Sequence, residues 1–162
     1  MFYKILFCYN IGNQTRIFYM KRLLLVVILL FISIQFIPYG LDHTNPPQLG
    51  KLKWDSNRTQ TLFMRACGDC HSNRTQWEWY SSIAPLSWGI YKYIQDGREQ
   101  FNISMWGVQD KNSLEKAIRE IKEEKMPITY YLWTHPEAKL SSQDKEFLIL
   151  GLIKTREENK TE

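Results

Sequence analysis

Residues 56–71 read Ser-Asn-Arg-Thr-Gln-Thr-Leu-Phe-Met-Arg-Ala-Cys-Gly-Asp-Cys-His. Ser56 suits an N-cap, and Leu62, Phe63 and Ala66 follow on one side of the helix it would open. That helix is predicted to end in two thiols and an imidazole. Outward from it the same period recurs. Pro85 to Asp96 carries Leu86, Ile90, Tyr93 and Ile94 at helical spacing, with Gly97 expected at the C′ position. Asn112 and Glu115 form a capping-box pattern; Leu114, Ile118 and Ile121 follow, and Pro127 is expected to stop that helix. Ser141 or Ser142 caps a last helix holding Phe147, Leu148, Leu150, Leu152 and Ile153, ahead of the polar tail TREENKTE. No run alternates with period two, and there is no internal repeat. The expected fold class is all-α, a single domain of roughly 110 residues with long connectors.

Composition narrows the partners. The 162 residues are 44% hydrophobic and 23% charged, enough for one modest core. Six Trp, nine Tyr and eight Phe give an aromatic share of 14%, which excludes disorder, and three Cys cannot build a disulfide scaffold. All 17 acidic residues lie at or beyond Asp42. Lys4, Arg16, Lys21 and Arg22 precede residue 23, and the other 17 of the 21 basic residues balance the acids. The whole net charge of +4 therefore sits in the first 22 residues. A nucleic-acid binder would carry its excess on the folded part, so none is expected as a partner.

Leu23 to Ile37 (LLLVVILLFISIQFI) holds no charge, and Lys21-Arg22 stand directly before it. At 1.5 Å per residue it spans roughly 22 Å, and flanking Phe18, Tyr19, Pro38 and Tyr39 extend it toward the ~30 Å of a bilayer core. Its exit lacks small residues at cleavage positions, so an uncleaved anchor is expected over a cleaved signal peptide. The basic residues put the N-terminus in the cytoplasm and send residues 41–162 outward. Met20-Lys21-Arg22 is itself a good n-region, which makes residues 1–19 a candidate upstream extension from start-site choice and leaves Cys8 outside the argument. The expected divisions are a cytoplasmic segment 1–22, an anchor 23–40, a stalk 41–53 containing Pro46-Pro47 and Gly50, a domain 54–157 and a tail 158–162.

Cys67-Gly68-Asp69-Cys70-His71 is CxxCH, the attachment pattern for c-type haem. Two thiols one helical turn apart can add to the two vinyl groups along one haem edge, and the following imidazole then ligates the iron. A redox C-x-x-C pair would need a strand–helix–strand frame, which this sequence lacks. A zinc site would need His135 or His43 as a fourth ligand, and adjacent Cys70 and His71 suit a tetrahedron poorly. A Cys67–Cys70 disulfide would close a small strained loop. One covalent haem c is the expected cofactor. Met126, in Lys125-Met126-Pro127, lies outside any apolar stripe, and a loop thioether late in the chain is how small His/Met cytochromes complete their iron. His135 is the alternative distal ligand. His43 is assigned to the stalk, and Met64 and Met105 to the core. Trp77, Trp79, Tyr80, Trp88, Tyr91, Trp106 and Trp133 are expected to supply apolar surface to the macrocycle. Trp88 is a candidate haem contact, and Arg74 and Arg98 are candidates to pair with propionates.

The run from Cys67 to Trp88 (CGDCHSNRTQWEWYSSIAPLSW) resembles the signature of the bacterial haem-binding domain family, small membrane-anchored cytochrome-c-like proteins. Gly97-Arg98 with Asn102-Ile-Ser-Met-Trp106, Met126-Pro127 with Tyr130 or Tyr131, and His135-Pro-Glu-Ala138 with Leu140-Ser141 fit the same pattern. The resemblance covers about residues 54–155. It implies that Cys67 and Cys70 attach haem, that His71 is the proximal ligand, and that Met126 is the distal one. Glu78 stands where Pro usually separates the tryptophans, and Tyr93 where His often occurs, which removes one bis-His arrangement. The expected activity is one-electron transfer in the periplasm, with unknown membrane or periplasmic redox proteins as partners. The alternative is a redox or gas sensor with a displaceable distal ligand. No enzyme is expected; a small peroxidase-like protein with an open iron face is the third reading, for which no acid–base pair is evident near the distal candidate.

Overall fold

The computed structural model describes the backbone of residues 2–109 and 113–160 and the side chains of 16–109 and 114–160. The expected cap at Asn112 and the thiol of Cys8 lie outside the described residues. All regular structure among the described residues is helical: α1 (Phe2–Ile34), α2 (Asn57–His71), α3 (Leu86–Gln100), α4 (Ser113–Lys122), α5 (Thr129–Thr134) and α6 (Ser142–Lys160), with short 3-10 turns between them. The fold class is all-α, with one long apolar N-terminal helix. In α1, Arg16–Ile34 is long and apolar enough to cross a membrane, and among the described residues none of that stretch is buried.

Local signals place the helices that matter. Ser56 Oγ accepts from the Thr59 amide at 3.2 Å and opens α2, whose inner face buries Leu62, Phe63 and Ala66. Ser141 Oγ accepts from the Asp144 amide at 3.0 Å and opens α6. The core gathers Phe63 of α2, Leu114, Ile118 and Ile121 of α4, and Leu148 and Leu152 of α6. Both α2 and α4 pack on α6, while α3 packs on the other side of α2.

Three boundaries differ from expectation, each for a reason visible in the structure. α3 does not stop at Gly97 but runs on to Gln100. Gly97 is instead where α3 crosses α2, because a Cβ there would lie 2.7 Å from the Cys70 carbonyl oxygen and 2.9 Å from its Cβ. α4 ends before Pro127. Glu124 takes a left-handed conformation (φ 58), and the Lys125 amide bonds back to the Glu120 carbonyl at 3.0 Å, a Schellman-type closure. The polar tail is helical as far as Lys160, since Thr155 and Asn159 are buried.

Segment 41–53 is not a free stalk. It lies across the domain as an extended strap: Leu49 and Gly50 amides bond to the Ser104 carbonyl at 2.9 Å, and Leu52 enters the core. Asn73 Nδ2 donates to the Pro47 carbonyl at 2.9 Å. At its end, Lys53 N–H donates to Asn159 Oδ1 at 3.3 Å and Asn159 Nδ2 donates to the Lys53 carbonyl at 2.8 Å. A polar, proline-containing segment stays ordered here because its backbone groups find partners on the domain.

Candidate functional site

α2 delivers three of the candidate residues in its last turn. Cys67 and Cys70 are three positions apart, which puts both thiols on one face, and His71 is the final helical residue. Both thiols are free. With His71 they line a cavity of about 470 Å³, in the size range of cofactor sites. Phe63, Ala66, Phe101 and Ile121 supply apolar wall.

The imidazole is oriented before any ligand arrives. His71 Nδ1 lies 2.8 Å from the Phe101 carbonyl oxygen. A carbonyl only accepts, so Nδ1 carries the hydrogen and Nε2 keeps its lone pair for a metal. Burial lowers the His71 pKa, against the opposing effect of backbone carbonyls at Phe101 and Gly97, and so favours the neutral, ligating form. Burial pushes the Cys67 thiol up to about 12 and the Cys70 thiol up to about 11. A dithiol oxidoreductase needs the opposite shift, so the geometry disfavours that reading. Among the described residues, no group of three or more His, Cys, Asp and Glu is arranged to hold a metal ion, which leaves the zinc reading without a ligand set.

Met126 lines the same cavity. The left-handed turn at Glu124 folds the chain back, and the Met126 amide bonds to the Glu120 carbonyl at 3.3 Å. Met126, Pro127 and Ile128 thereby become wall. Tyr131, one turn into α5, lines the cavity too, and its hydroxyl donates to Asp69 Oδ2 at 2.8 Å. Asp69 lies between the two cysteines, so this bond ties the Met126 loop to the CxxCH turn. Asp69 Oδ1 is held in turn by the Gln76 amide at 2.9 Å. Burial, with the Asp69 carboxylate second, raises the Tyr131 pKa and keeps the phenol a donor.

The remaining expected contacts lie elsewhere. His135 does not line the cavity; its ring stacks on Tyr131 at 4.0 Å, and Nδ1 lies 3.0 Å from Thr134 Oγ1 and 3.2 Å from the Tyr131 carbonyl. His43 stacks on Trp77 at 4.4 Å, and its Nε2 lies 3.2 Å from the Ser81 carbonyl. Arg98 is buried but points to the strap side: Nε donates to the Ser72 carbonyl at 3.1 Å, and Nη2 to Asn45 Oδ1 and Thr75 Oγ1 at 2.8 Å each. It buttresses the backbone just after His71 instead of facing the cavity. Arg74 reaches Gln48 Oε1 at 2.9 Å on the surface. Trp88 is outside the cavity wall as well, and none of the seven aromatic residues expected to wrap the macrocycle lines it. Trp77 packs on His43 of the strap instead, and Tyr91 on Tyr39, just ahead of it.

Sequence reasoning missed Tyr131 in this role, as well as Tyr93 and Lys116, which also line the cavity. Lys116 Nζ donates to Gln100 Oε1 at 2.5 Å, so a cation stands at the wall where the arginines do not. A usable signal existed. Lys116, Ala117, Glu120 and Ile121 share one flank of α4, and a small residue amid longer ones marks a helix face that leaves room. The donor set fits haem: two thiols on one turn, a pre-oriented imidazole, a thioether in the same cavity and apolar walls.

A family model described as a haem-binding domain matches residues 29–154. The match begins inside α1 and takes in the whole strap. No curated protein and no solved structure matches the chain.

Proposed function

The chain belongs to the haem-binding domain family, and from that premise we propose a membrane-anchored c-type monohaem protein that transfers single electrons on the outer face of a bacterial inner membrane. The observation that carries this reading is that Cys67, Cys70, His71 and Met126 wall a single cavity. The haem, when bound, supplies reversible one-electron iron chemistry. Cys67 and Cys70 would hold it by thioether bonds, and His71 Nε2 and the Met126 thioether would supply the two donors to its iron. The protein's own contribution is to keep those donors in place and keep water out: the Phe101 carbonyl fixes the His71 tautomer, and Phe63 and Ile121 exclude solvent. Lys116 is the cation placed to pair with a propionate. Lys21 and Arg22 before the span, with no acid ahead of Asp42, support an outward-facing domain.

Expression with cytochrome c maturation machinery tests the attachment. Haem staining is expected to survive denaturing electrophoresis, and the double variant Cys67→Ala, Cys70→Ala is expected to lose it. The ferric protein is expected to show the weak near-infrared-edge absorption band of methionine–iron bonding, and Met126→Ala to abolish it while His135→Ala leaves it in place. A band that persists in Met126→Ala overturns the distal assignment.

A further inference from the structure

The membrane helix and the domain meet in a joint, and the joint is surrounded by uncovered apolar side chains. Gln35, the first residue beyond α1, grips the Ala84 peptide at both ends: its Nε2 donates to the Ala84 carbonyl and its Oε1 accepts from the Ala84 amide, each at 3.0 Å. Ala84 is buried and directly precedes the Pro85-Leu86 start of α3. Two further contacts brace the same junction. Tyr39 sets its ring edgewise on Tyr91 of α3 at 5.7 Å. Gly40, at φ +78, passes so close to α3 that a Cβ would lie 2.6 Å from the Ser87 carbonyl oxygen. The chain between span and domain is therefore stitched down within a few residues of leaving the helix.

Around this joint the surface is apolar. Phe36 is 83% exposed, Leu86 58% and Tyr39 50%, with Ile37 and Leu41 also exposed. Trp79, 75% exposed, opens the 3-10 turn that leads to Ala84. Each of these side chains leaves a large part of its surface open among the described residues, and Phe36 and Ile37 follow directly on the apolar, unburied helix Arg16–Ile34. Tyrosine and tryptophan beside the end of a span are what the bilayer interface selects.

We propose that this face is a lipid seat: Phe36, Ile37, Tyr39 and Leu86 lie in the headgroup region, and the Gln35–Ala84 joint holds the domain there in one pose. The occupant is the bilayer interface, and the proposal rests on the anchor reading above. The pose has a consequence for the haem site. α3 starts in the seat at Leu86 and lines the cavity with Tyr93 and Gly97, and eleven residues of helix rise only about 16 Å. The cavity wall is thus held within roughly one short helix of the membrane surface, whatever the tilt of α3, which favours electron partners embedded in or lying on the same bilayer.

The test places a benzophenone photo-cross-linking amino acid at Leu86 or, as a control, at Leu150. Leu150 is 54% exposed on α6, which packs on α2 and α4. The full haem-loaded chain is reconstituted in nanodiscs of phosphatidylethanolamine and phosphatidylglycerol and irradiated, and lipid adducts are counted by mass spectrometry. At least tenfold more lipid adduct is expected from Leu86 than from Leu150. In a Gln35→Leu background, which keeps the span apolar, adducts at Leu86 are expected to fall at least threefold with the haem spectrum unchanged. Equal adducts at the two positions in chains that stay in the disc overturn the seat, as do adducts to a second copy of the chain instead of lipid. Undiminished adducts in Gln35→Leu overturn the joint. Recovery of the chain in the lipid-free fraction is a different failure, that of the anchor.

Discussion

Tyr131 stacks on His135, walls the cavity and donates to Asp69 between the two cysteines, so one phenol couples the loop bearing Met126 to the turn bearing His71. A hydrogen bond to a carboxylate contributes about 1.5–3 kcal/mol. Tyr131→Phe keeps the ring and removes the bond. On the proposed ligation, the ferrous Tyr131→Phe protein is expected to bind carbon monoxide about tenfold faster than wild type, a factor equivalent to ~1.4 kcal/mol. Its covalent haem content is expected to stay the same, since the thiols and His71 do not depend on the phenol. Stopped-flow mixing of the reduced protein with carbon monoxide checks this, and unchanged kinetics would leave Tyr131 as wall alone. At this scale the CxxCH turn could be read from near neighbours in sequence, and Met126, singled out for its place beside Pro127, lines the same cavity. Arg98 could not be read this way: its partners Asn45, Ser72 and Thr75 lie 23 to 53 residues away, and nothing local separates a guanidinium facing a cofactor from one facing a backbone carbonyl.

At the scale of elements, Gly97 sets how closely α2 and α3 approach. Its missing side chain leaves room for the Cys70 backbone, so where the second of the two proposed attachment thiols sits depends on a residue in another helix. Gly97→Ala forces the helices apart or bends one, and overpacking of this kind costs about 1–3 kcal/mol. The variant is expected to unfold at lower urea and to mature with less haem per chain, by denaturant titration and pyridine haemochrome assay. Full haem loading in Gly97→Ala would show that α2 can shift without misplacing its thiols. The sequence period led to Gly97 as a terminator, because a glycine after an apolar stripe is a common helix end; what it serves is a crossing, visible only once α2 is in place. The caps at Ser56 and Ser141 were legible for the opposite reason, since a cap bonds within three residues of itself.

Across the whole molecule, the strap closes the structure. Lys53 and Asn159 are paired through a double amide contact across 106 positions, and Asp55 N–H donates to Thr155 Oγ1 at 3.1 Å beside them. Asn159→Ala removes both bonds to Lys53, and is expected to lower unfolding free energy by about 1–3 kcal/mol with the haem spectrum intact, measured by urea titration. A polar string with two prolines reads as a linker when taken alone, and only the far end of the chain makes it part of the domain. The all-α class survived this misreading because helix period is a local property, whereas the fate of a connector is decided by partners.

The Lys53–Asn159 pairing also fixes a sequence of events in time. On the proposed export through the membrane, residues near 53 emerge before residue 159. The last turn of α6 cannot dock until residue 159 has crossed, so the earlier-emerging thiols wait in an open chain. Once closure occurs, Cys67 and Cys70 are half-buried in the cavity wall. On the proposed attachment, the open chain before that closure offers both thiols with the least obstruction, so the time between the two crossings is a window for cofactor insertion.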